Sequence, residues 1–423
     1  MPDIKPFCGL LYNTSRVDIA EVVAPPYDVI TNLQQQELYE CSPYNVVRLV
    51  LNRDKDPYIS AAKYLNEWRK TQIVISDSEP AIYVLSQTFT LSDGAQVDRK
   101  GFIAACRLEE FGKGSVYPHE KTHSGPKEDR FRLFQSTNSM FSQIFSLYSD
   151  PESALDVHLN MVMANHPSLD VTFEGVRNRL WKLTNERTIL AIADELRSQR
   201  AFIADGHHRY ETALAFRDAK RLQNPHHSGK ESYNFVPMFF TNMHDPGLVI
   251  LPTHRLLHSK PGFQPQKFLK ALHQFFHVEG CSSLPQLMTL LSQCPRHSFG
   301  LILSTESHYS LLRLIDRSPN TKQSRVPEIV RQLDVSVLHD IIFKQVLGMS
   351  EEEQAKKLFI DYEKDSFRAA KAVEEGRAQA AFLMNPTPIE QVRSVAVAGF
   401  VMPQKSTYFY PKLLSGLVMY SFA

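Results

Sequence analysis

Apolar residues recur along this chain at two different spacings, and the changes from one to the other mark out the elements. Tyr58, Ala61, Ala62, Leu65 and Trp68 fall at helical spacing and predict an amphipathic helix over 57–70. AIYVLSQTFTL (81–91) and QVDRKGFIAACRL (96–108) are β-rich runs flanking Ser92-Asp93-Gly94-Ala95, a pattern that predicts a hairpin. NVVRLVL (45–51) predicts a strand, FRLFQSTNSMF a helix, and SQIFSLYSD (142–150) another strand. Leu155, Leu159, Val162 and Met163 mark a helix, RLWKLT (179–184) a strand, and Ile189, Ile192, Ala193 and Leu196 a further helix. Ala201 to Ala204 form a short buried strand that breaks at Asp205-Gly206 and opens a helical run to residue 218. Strands over 232–243 and 247–257 follow, so 115–260 alternates as an α/β layer does.

The remaining third repeats the mixture. Two helices are expected within 263–300, with SFGLILS and HYSLLRLI paired around a turn at 305–307. EEEQAKK reads as a solvated helix face, and KDSFRAAKAVEEGRAQ leads into the strand AAFLMN (380–385). The fold class is therefore α/β in the mixed α+β sense. Four segments are expected: an N-terminal α+β unit (1–111), a core (112–260), an appended α/β unit (261–390), and a C-terminal segment (391–423) packing back on the core.

Composition narrows the function classes. At 423 residues the chain is long enough for two or three domains, and 43% hydrophobic with 22% charged residues is ordinary for a soluble globular protein. Its 47 basic and 46 acidic residues give a net charge of +1, which removes the electrostatic case for nonspecific nucleic-acid binding. The five cysteines are scattered without a C-x-x-C, so no zinc ribbon or disulfide framework is indicated. Neither a signal-peptide pattern nor a membrane-spanning apolar run is present, and a cytoplasmic location is expected.

The candidate chemistry gathers in four stretches. In the first, Asp205-Gly206-His207-His208-Arg209 joins a buried strand to a helix, where backbone N–H groups and the helix dipole favour an anion. The imidazoles of His207 and His208 and the guanidinium of Arg209 add donors suited to phosphate. Upstream, residues 112–130 carry His119, Glu120, Lys121, His123, Ser124, Lys127, Asp129 and Arg130, too polar for core and too rich in chemistry for a connector. Near the N-terminus, Pro25 and Pro26 stiffen the segment that presents Tyr27 and Asp28. Near the C-terminus, Lys405, Ser406, Thr407, Tyr408, Tyr410 and Lys412 crowd a stretch that lacks the character of a fraying tail.

DGHHR at the end of a strand resembles the signature of the ParB/sulfiredoxin superfamily, most closely that of its free-serine kinases. The chain also resembles, through APPYDVI, SPYNVVRL, PHEKTHSGPKEDR, DGHHRYETAL, DPGLVILPTHR and MPQKSTYFYPKLLSGL, a prokaryotic family catalogued as a domain of unknown function. The first resemblance implies a ParB/sulfiredoxin-like core over 112–260. It also implies a small-molecule kinase moving phosphate from ATP or ADP to a hydroxyl, with free L-serine the leading acceptor. In the free-serine kinases an upstream glutamate accepts the hydroxyl proton, and Pro118-His119-Glu120-Lys121-Thr122 matches that segment in order and character, which makes Glu120 the candidate base. The spacing to DGHHR, about 85 residues, departs from minimal members of the superfamily because 151–200 intervenes.

Phosphoryl transfer needs alignment and cations more than covalent help. Asp205, Gly206, His207, His208 and Arg209 are expected to hold the phosphates, with Lys127, Arg130, Arg255 and Lys405 as further cations. Glu120, His207 and His208 are the catalytic candidates, Mg²⁺ bridges the phosphates with Asp205 as its ligand, and Tyr27, Asp28, His119, His123, Ser406 and Thr407 line the acceptor pocket. A small hydroxyl-bearing metabolite and a nucleotide are then the partners, with no nucleic acid and no membrane. The chain contains no G-x-x-x-x-G-K-[ST], so a P-loop site is excluded. Three other readings stay open: a noncatalytic nucleotide-sensing protein, a nucleotide-gated DNA-binding module, and a metal-dependent hydrolase using the His cluster. A sulfiredoxin-type activity is disfavoured, because His207 stands where that signature has Cys.

Overall fold

In the computed structural model, residues 1–91, 93–120, 124–294, 296–304, 308–315 and 326–422 are described. The chain is mixed α/β and divides into two compact units, Met1–Val249 with Phe409–Ala423, and Ile250–Tyr408. Both the expected core over 112–260 and the expected N-terminal segment thus fall largely within the first unit, and the last fifteen residues return to it.

The first unit is built on a nine-stranded mixed sheet. In chain order its strands are β1 (Ile4–Lys5), β2 (Ile82–Thr90), β3 (Gln96–Arg107), β4 (Val116–Tyr117), β5 (Ile144–Tyr148), β6 (Leu169–Phe173), β7 (Val176–Leu183), β8 (Ala201–Asp205) and β9 (Phe235–Asn242). Across the sheet they lie β4-β8-β5-β9-β3-β2-β7-β6, and β1 pairs with β3 beyond the point where β2 stops. The β2–β3 hairpin closes as the Asp-Gly pattern predicts. Gly94 takes φ +87° and the Asp93 carboxylate accepts from the Ala95 N–H at 2.9 Å, so the turn satisfies its own backbone. Ser92 and the turn expected at 305–307 lie outside the described residues.

Helices α1 (Pro57–Lys70), α2 (Ser124–Thr137), α3 (Ala154–Met163), α4 (Glu186–Arg197) and α5 (His207–Gln223) accompany the sheet. The expected stripe on α1 is the buried one, with Ala61, Leu65 and Trp68 all but inaccessible. Two expectations change. NVVRLVL forms a helical turn at Val47–Val50 rather than a strand, because the Asn45 side chain accepts from the Val47 N–H at 2.9 Å and starts a turn. SGPKEDR, expected as part of a polar loop, forms the first turns of α2.

The second unit carries a six-stranded sheet. Its strands are β10 (His254–Leu257), β11 (Phe276–Cys281), β12 (Ser298–Leu303), β13 (His308–Leu314), β14 (Ile360–Glu363) and β15 (Ala380–Leu383), in the order β11-β13-β12-β15-β10-β14. Alternate faces of this sheet feed two apolar clusters, one around Phe299, Leu301 and Phe382 and the other around Ile302, Leu311 and Leu383. EEEQAKK contributes a short exposed helix over Glu351–Ala355, as its charge predicts.

Packing at the centre of the first sheet is tight enough to forbid a methyl group. A Cβ on Gly101 in β3 would stand 2.3 Å from the Phe240 carbonyl oxygen and 2.6 Å from the Phe239 ring. Because the first obstacle is backbone of the neighbouring strand, Gly101→Ala is expected to cost roughly 1–3 kcal/mol. A urea titration should show a lower midpoint for the variant. An unchanged midpoint would mean the β3–β9 spacing is looser than described.

Candidate functional site

Strand β8 delivers Asp205 to the edge of a tight corner. Gly206 takes φ +91° and leads directly into α5, whose N-terminus receives no side-chain cap. A Cβ at Gly206 would meet the Arg209 guanidinium at 3.0–3.1 Å, so the missing side chain is what lets that guanidinium fold back over the turn. Arg209 is buried there. Its Nη2 donates to Asp205 Oδ2 at 2.7 Å and its Nη1 to the Gln143 carbonyl at 2.6 Å.

The other oxygen of Asp205 accepts from Lys412 Nζ at 2.5 Å. One carboxylate therefore meets two cations beside an uncapped helix N-terminus. Lys412 is placed by the returning C-terminal residues. Arg99, fully buried, donates from Nη1 to the Tyr410 carbonyl at 3.2 Å and from Nη2 to the Pro411 carbonyl at 2.6 Å, with Gln87 Oε1 as a further acceptor. Burial lowers the Arg99 pKa to about 9, which leaves it a cation at neutral pH. Ser415 N–H donates to the Ala24 carbonyl at 2.8 Å, which joins this segment to the chain just before Pro25-Pro26-Tyr27.

His119 and His207 meet edge to face beneath the turn, with ring centroids 4.7 Å apart. The His119 N–H donates to His207 Nε2 at 3.2 Å, so that nitrogen carries a lone pair and the proton sits on Nδ1. His119 Nδ1–H donates to the Ile203 carbonyl at 2.5 Å, fixing the same Nδ1–H tautomer in that ring. Burial pulls the His119 pKa down to about 4 and that of His207 well below its ordinary value. Burial favours the neutral form of both rings, which act here as fixed hydrogen-bonding groups. His208 is half-buried on the first turn of α5.

Around this centre, Arg130 lies 4.0 Å over the Tyr27 ring and is held by Asp129, whose carboxylate also accepts from the Tyr58 hydroxyl at 2.9 Å. Burial raises Tyr27 to about 12, against the opposing pull of Arg130 and, more weakly, Arg209. That response places Tyr27 within electrostatic reach of both guanidiniums. Lys127 donates to Glu211 at 2.6 Å and pins α2 to α5. Asp28 is exposed and Glu120 half-buried, next in sequence to His119. His123 lies outside the described residues.

Four expected residues belong to the second unit. Arg255 is buried on β10, donates to the carbonyls of Thr253 and Lys405, and lies 5.4 Å from the Tyr362 ring. The Ser406 hydroxyl donates to the Pro403 carbonyl at 2.5 Å and Thr407 is buried. Lys405, chosen from sequence as a reserve cation, offers its carbonyl to Arg255. The lysine that reaches Asp205 is Lys412, seven residues on, visible in MPQKSTYFYPK only as one of two. Arg99 carried no sequence signal at all.

The expected role of Asp205 as a Mg²⁺ ligand does not fit. Both of its oxygens already accept from cations, and a divalent ion would be a third positive charge on one carboxylate. Among the described residues no three His, Cys, Asp or Glu side chains are grouped to hold a metal, and no helix is long and apolar enough to cross a membrane.

The fold and the corner define a mixed α/β protein with a cation-rich strand–turn–helix site. Over residues 4–336 the chain matches the model of a family described as "Protein of unknown function (DUF1015)", and it belongs to that family. No curated protein matches it. Among solved structures it is similar to a conserved hypothetical protein from Pyrococcus furiosus at 14% identity, over 71% of this chain and 90% of that one, with a TM-score of 0.35. A free serine kinase in complex with AMP matches at 11% identity over 70% and 83%, with a TM-score of 0.35. SbnI with a C-terminal truncation, from Staphylococcus aureus, matches at 10% identity over 75% and 86%, with a TM-score of 0.36. Scores this low leave the superpositions too loose to carry a residue across.

The buried imidazoles set an acid limb for stability. A histidine held near pKa 4 in the fold but near 6.5 when unfolded binds fewer protons folded than unfolded between those values, so its stabilising contribution is complete above pH 6.5 and is lost as pH falls toward 4. His119→Asn keeps a donor for the Ile203 carbonyl and removes one titration. Urea midpoints at pH 7 and pH 5 should fall less in that variant than in the native chain. An equal fall would exclude His119 as a source of the acid limb.

Proposed function

We propose that the first unit binds nucleotide phosphates at the corner formed by Asp205, Gly206, His207, His208 and Arg209, and transfers a phosphoryl group from ATP or ADP to a small hydroxyl compound, with free L-serine the leading acceptor. The observation that carries this reading is the single carboxylate of Asp205 shared by Arg209 and Lys412 at the uncapped start of α5. An incoming phosphate meets both cations and the backbone donors of the first turn together. The motif resemblance to ParB/sulfiredoxin-like free-serine kinases supports the same assignment, and a cytoplasmic location goes with it.

In this reading the acceptor hydroxyl attacks the terminal phosphorus in line. A new O–P bond forms as the bond to the nucleotide oxygen breaks, the leaving oxygen keeps the electron pair, and the hydroxyl proton passes to the Glu120 carboxylate. Arg209 and Lys412 answer the negative charge on the transferring oxygens. The fixed His119–His207 pair holds the 118–120 segment against β8, which sets where Glu120 starts from. Tyr27 and Arg130 form a stacked wall within electrostatic reach of Arg209.

Incubation with ATP or ADP, Mg²⁺ and L-serine should yield phosphoserine. Arg209→Met and Lys412→Met should each weaken nucleotide binding roughly tenfold, about 1.4 kcal/mol. Glu120→Gln should leave nucleotide affinity nearly unchanged and slow transfer by roughly 10²–10⁴. Tight nucleotide binding with no product from any hydroxyl compound would favour the nucleotide-sensing reading, and affinity insensitive to both cation variants would remove the site.

A further inference from the structure

A groove of about 680 Å³ opens elsewhere on the first unit, between β1, the strand Val74–Ser76 and the C-terminal strand Tyr420–Ser421. Its volume is in the range of small-molecule sites. Phe7, Val74 and Tyr420 give it an apolar side, with Phe7 and Tyr420 packed edge to face at 5.3 Å. Two cations line it, Lys5 and Arg69, and among the described lining residues none is acidic. In a chain with a net charge of +1, this concentrates two positive charges in one concavity.

Among the described residues, neither cation is in contact with a carboxylate. Lys5 Nζ lies 3.6 Å from the centre of the Phe235 ring, and Asp3, the acid that acts on it from a distance, is ion-paired with Arg107 at 2.6 Å. Burial and the Arg107 guanidinium both hold the Lys5 ammonium below its ordinary pKa. Arg69 gives Nη2 to the Ser139 hydroxyl at 3.3 Å, while its Nε is buried without an acceptor. Burial likewise lowers the Arg69 pKa. Partly desolvated cations without a counter-charge are costly to keep, and an anion settling between them recovers that cost.

We infer that this groove is a second ligand site, separate from the Asp205 corner, for a small organic anion whose carboxylate or phosphate lies between Lys5 and Arg69 and whose apolar body packs on Phe7 and Tyr420. Ser76, Ser232 and Ser421 also line it. The same anion chemistry serves a carboxylate or a phosphate monoester, and the test separates them.

Cys8 lines the groove and is exposed, so it reports occupancy directly. In a Cys41→Ser background, which removes the other exposed thiol, Cys8 alkylation by iodoacetamide is followed with benzoate, phenyl phosphate or phenol added. Benzoate or phenyl phosphate should slow alkylation saturably, by roughly fivefold or more, and whichever anion half-saturates lower names the headgroup. Phenol should protect at least tenfold more weakly. Lys5→Gln with Arg69→Gln should abolish protection, while Lys412→Met should leave it intact and thereby separate this site from the phosphate corner. Where the double variant does not fold, judged by circular dichroism, Arg69→Lys substitutes for it and should weaken protection severalfold. No protection by either anion, protection equal with phenol, or protection unaffected by removal of the cations would overturn the inference.

Discussion

The Asp205 carboxylate, held between Arg209 and Lys412, joins parts of the first unit that are far apart in sequence. Arg209 comes from the same turn, four residues on, and Lys412 from a segment that follows the whole second unit. The first pair is local and forms with the strand–turn–helix. The second exists only if residues 409–423 return, and the return is secured by Arg99 under the 410 and 411 carbonyls and by the Ala24–Ser415 pairing. Burying a guanidinium is expensive, and Arg99 is tolerated because three acceptors meet it.

Low local dielectric explains the division of labour around the corner. Where solvent is excluded, at His119 and His207, the imidazoles stay neutral and serve as fixed hydrogen-bonding groups. Charge is left to guanidiniums and lysine ammoniums: Lys127 pairs with Glu211 and Arg130 with Asp129, while Arg209 and Lys412 share the Asp205 carboxylate. Each of these cations is thereby held in a fixed orientation.

The segment 139–143 runs between Arg69 and Arg209. Ser139 accepts from Arg69 at the groove, Met140 and Ser139 pair with Tyr420 and Ser421, and the Gln143 carbonyl accepts from Arg209 at the corner. The two ends of this five-residue segment thus accept from Arg69 and from Arg209.

Sequence periodicity alone determined the elements whose information is local. The α1 stripe, the β2–β3 hairpin and the β8–turn–α5 unit were legible because 3.6-residue spacing, an Asp-Gly turn and a buried run ending at glycine are each complete within a short window. The candidate corner was legible for the same reason. NVVRLVL departs from its strand-like pattern because a hydrogen bond from the Val47 N–H to the Asn45 side chain starts a helical turn despite the β-branched composition. Only the tertiary structure decided that Lys412 rather than Lys405 meets Asp205, that Arg255, Lys405, Ser406 and Thr407 belong to a different unit, and that burial shifts His119 and His207 toward their neutral forms. Pairing across two hundred residues depends on how the chain returns, and a pKa depends on what excludes water, and neither is written in local spacing.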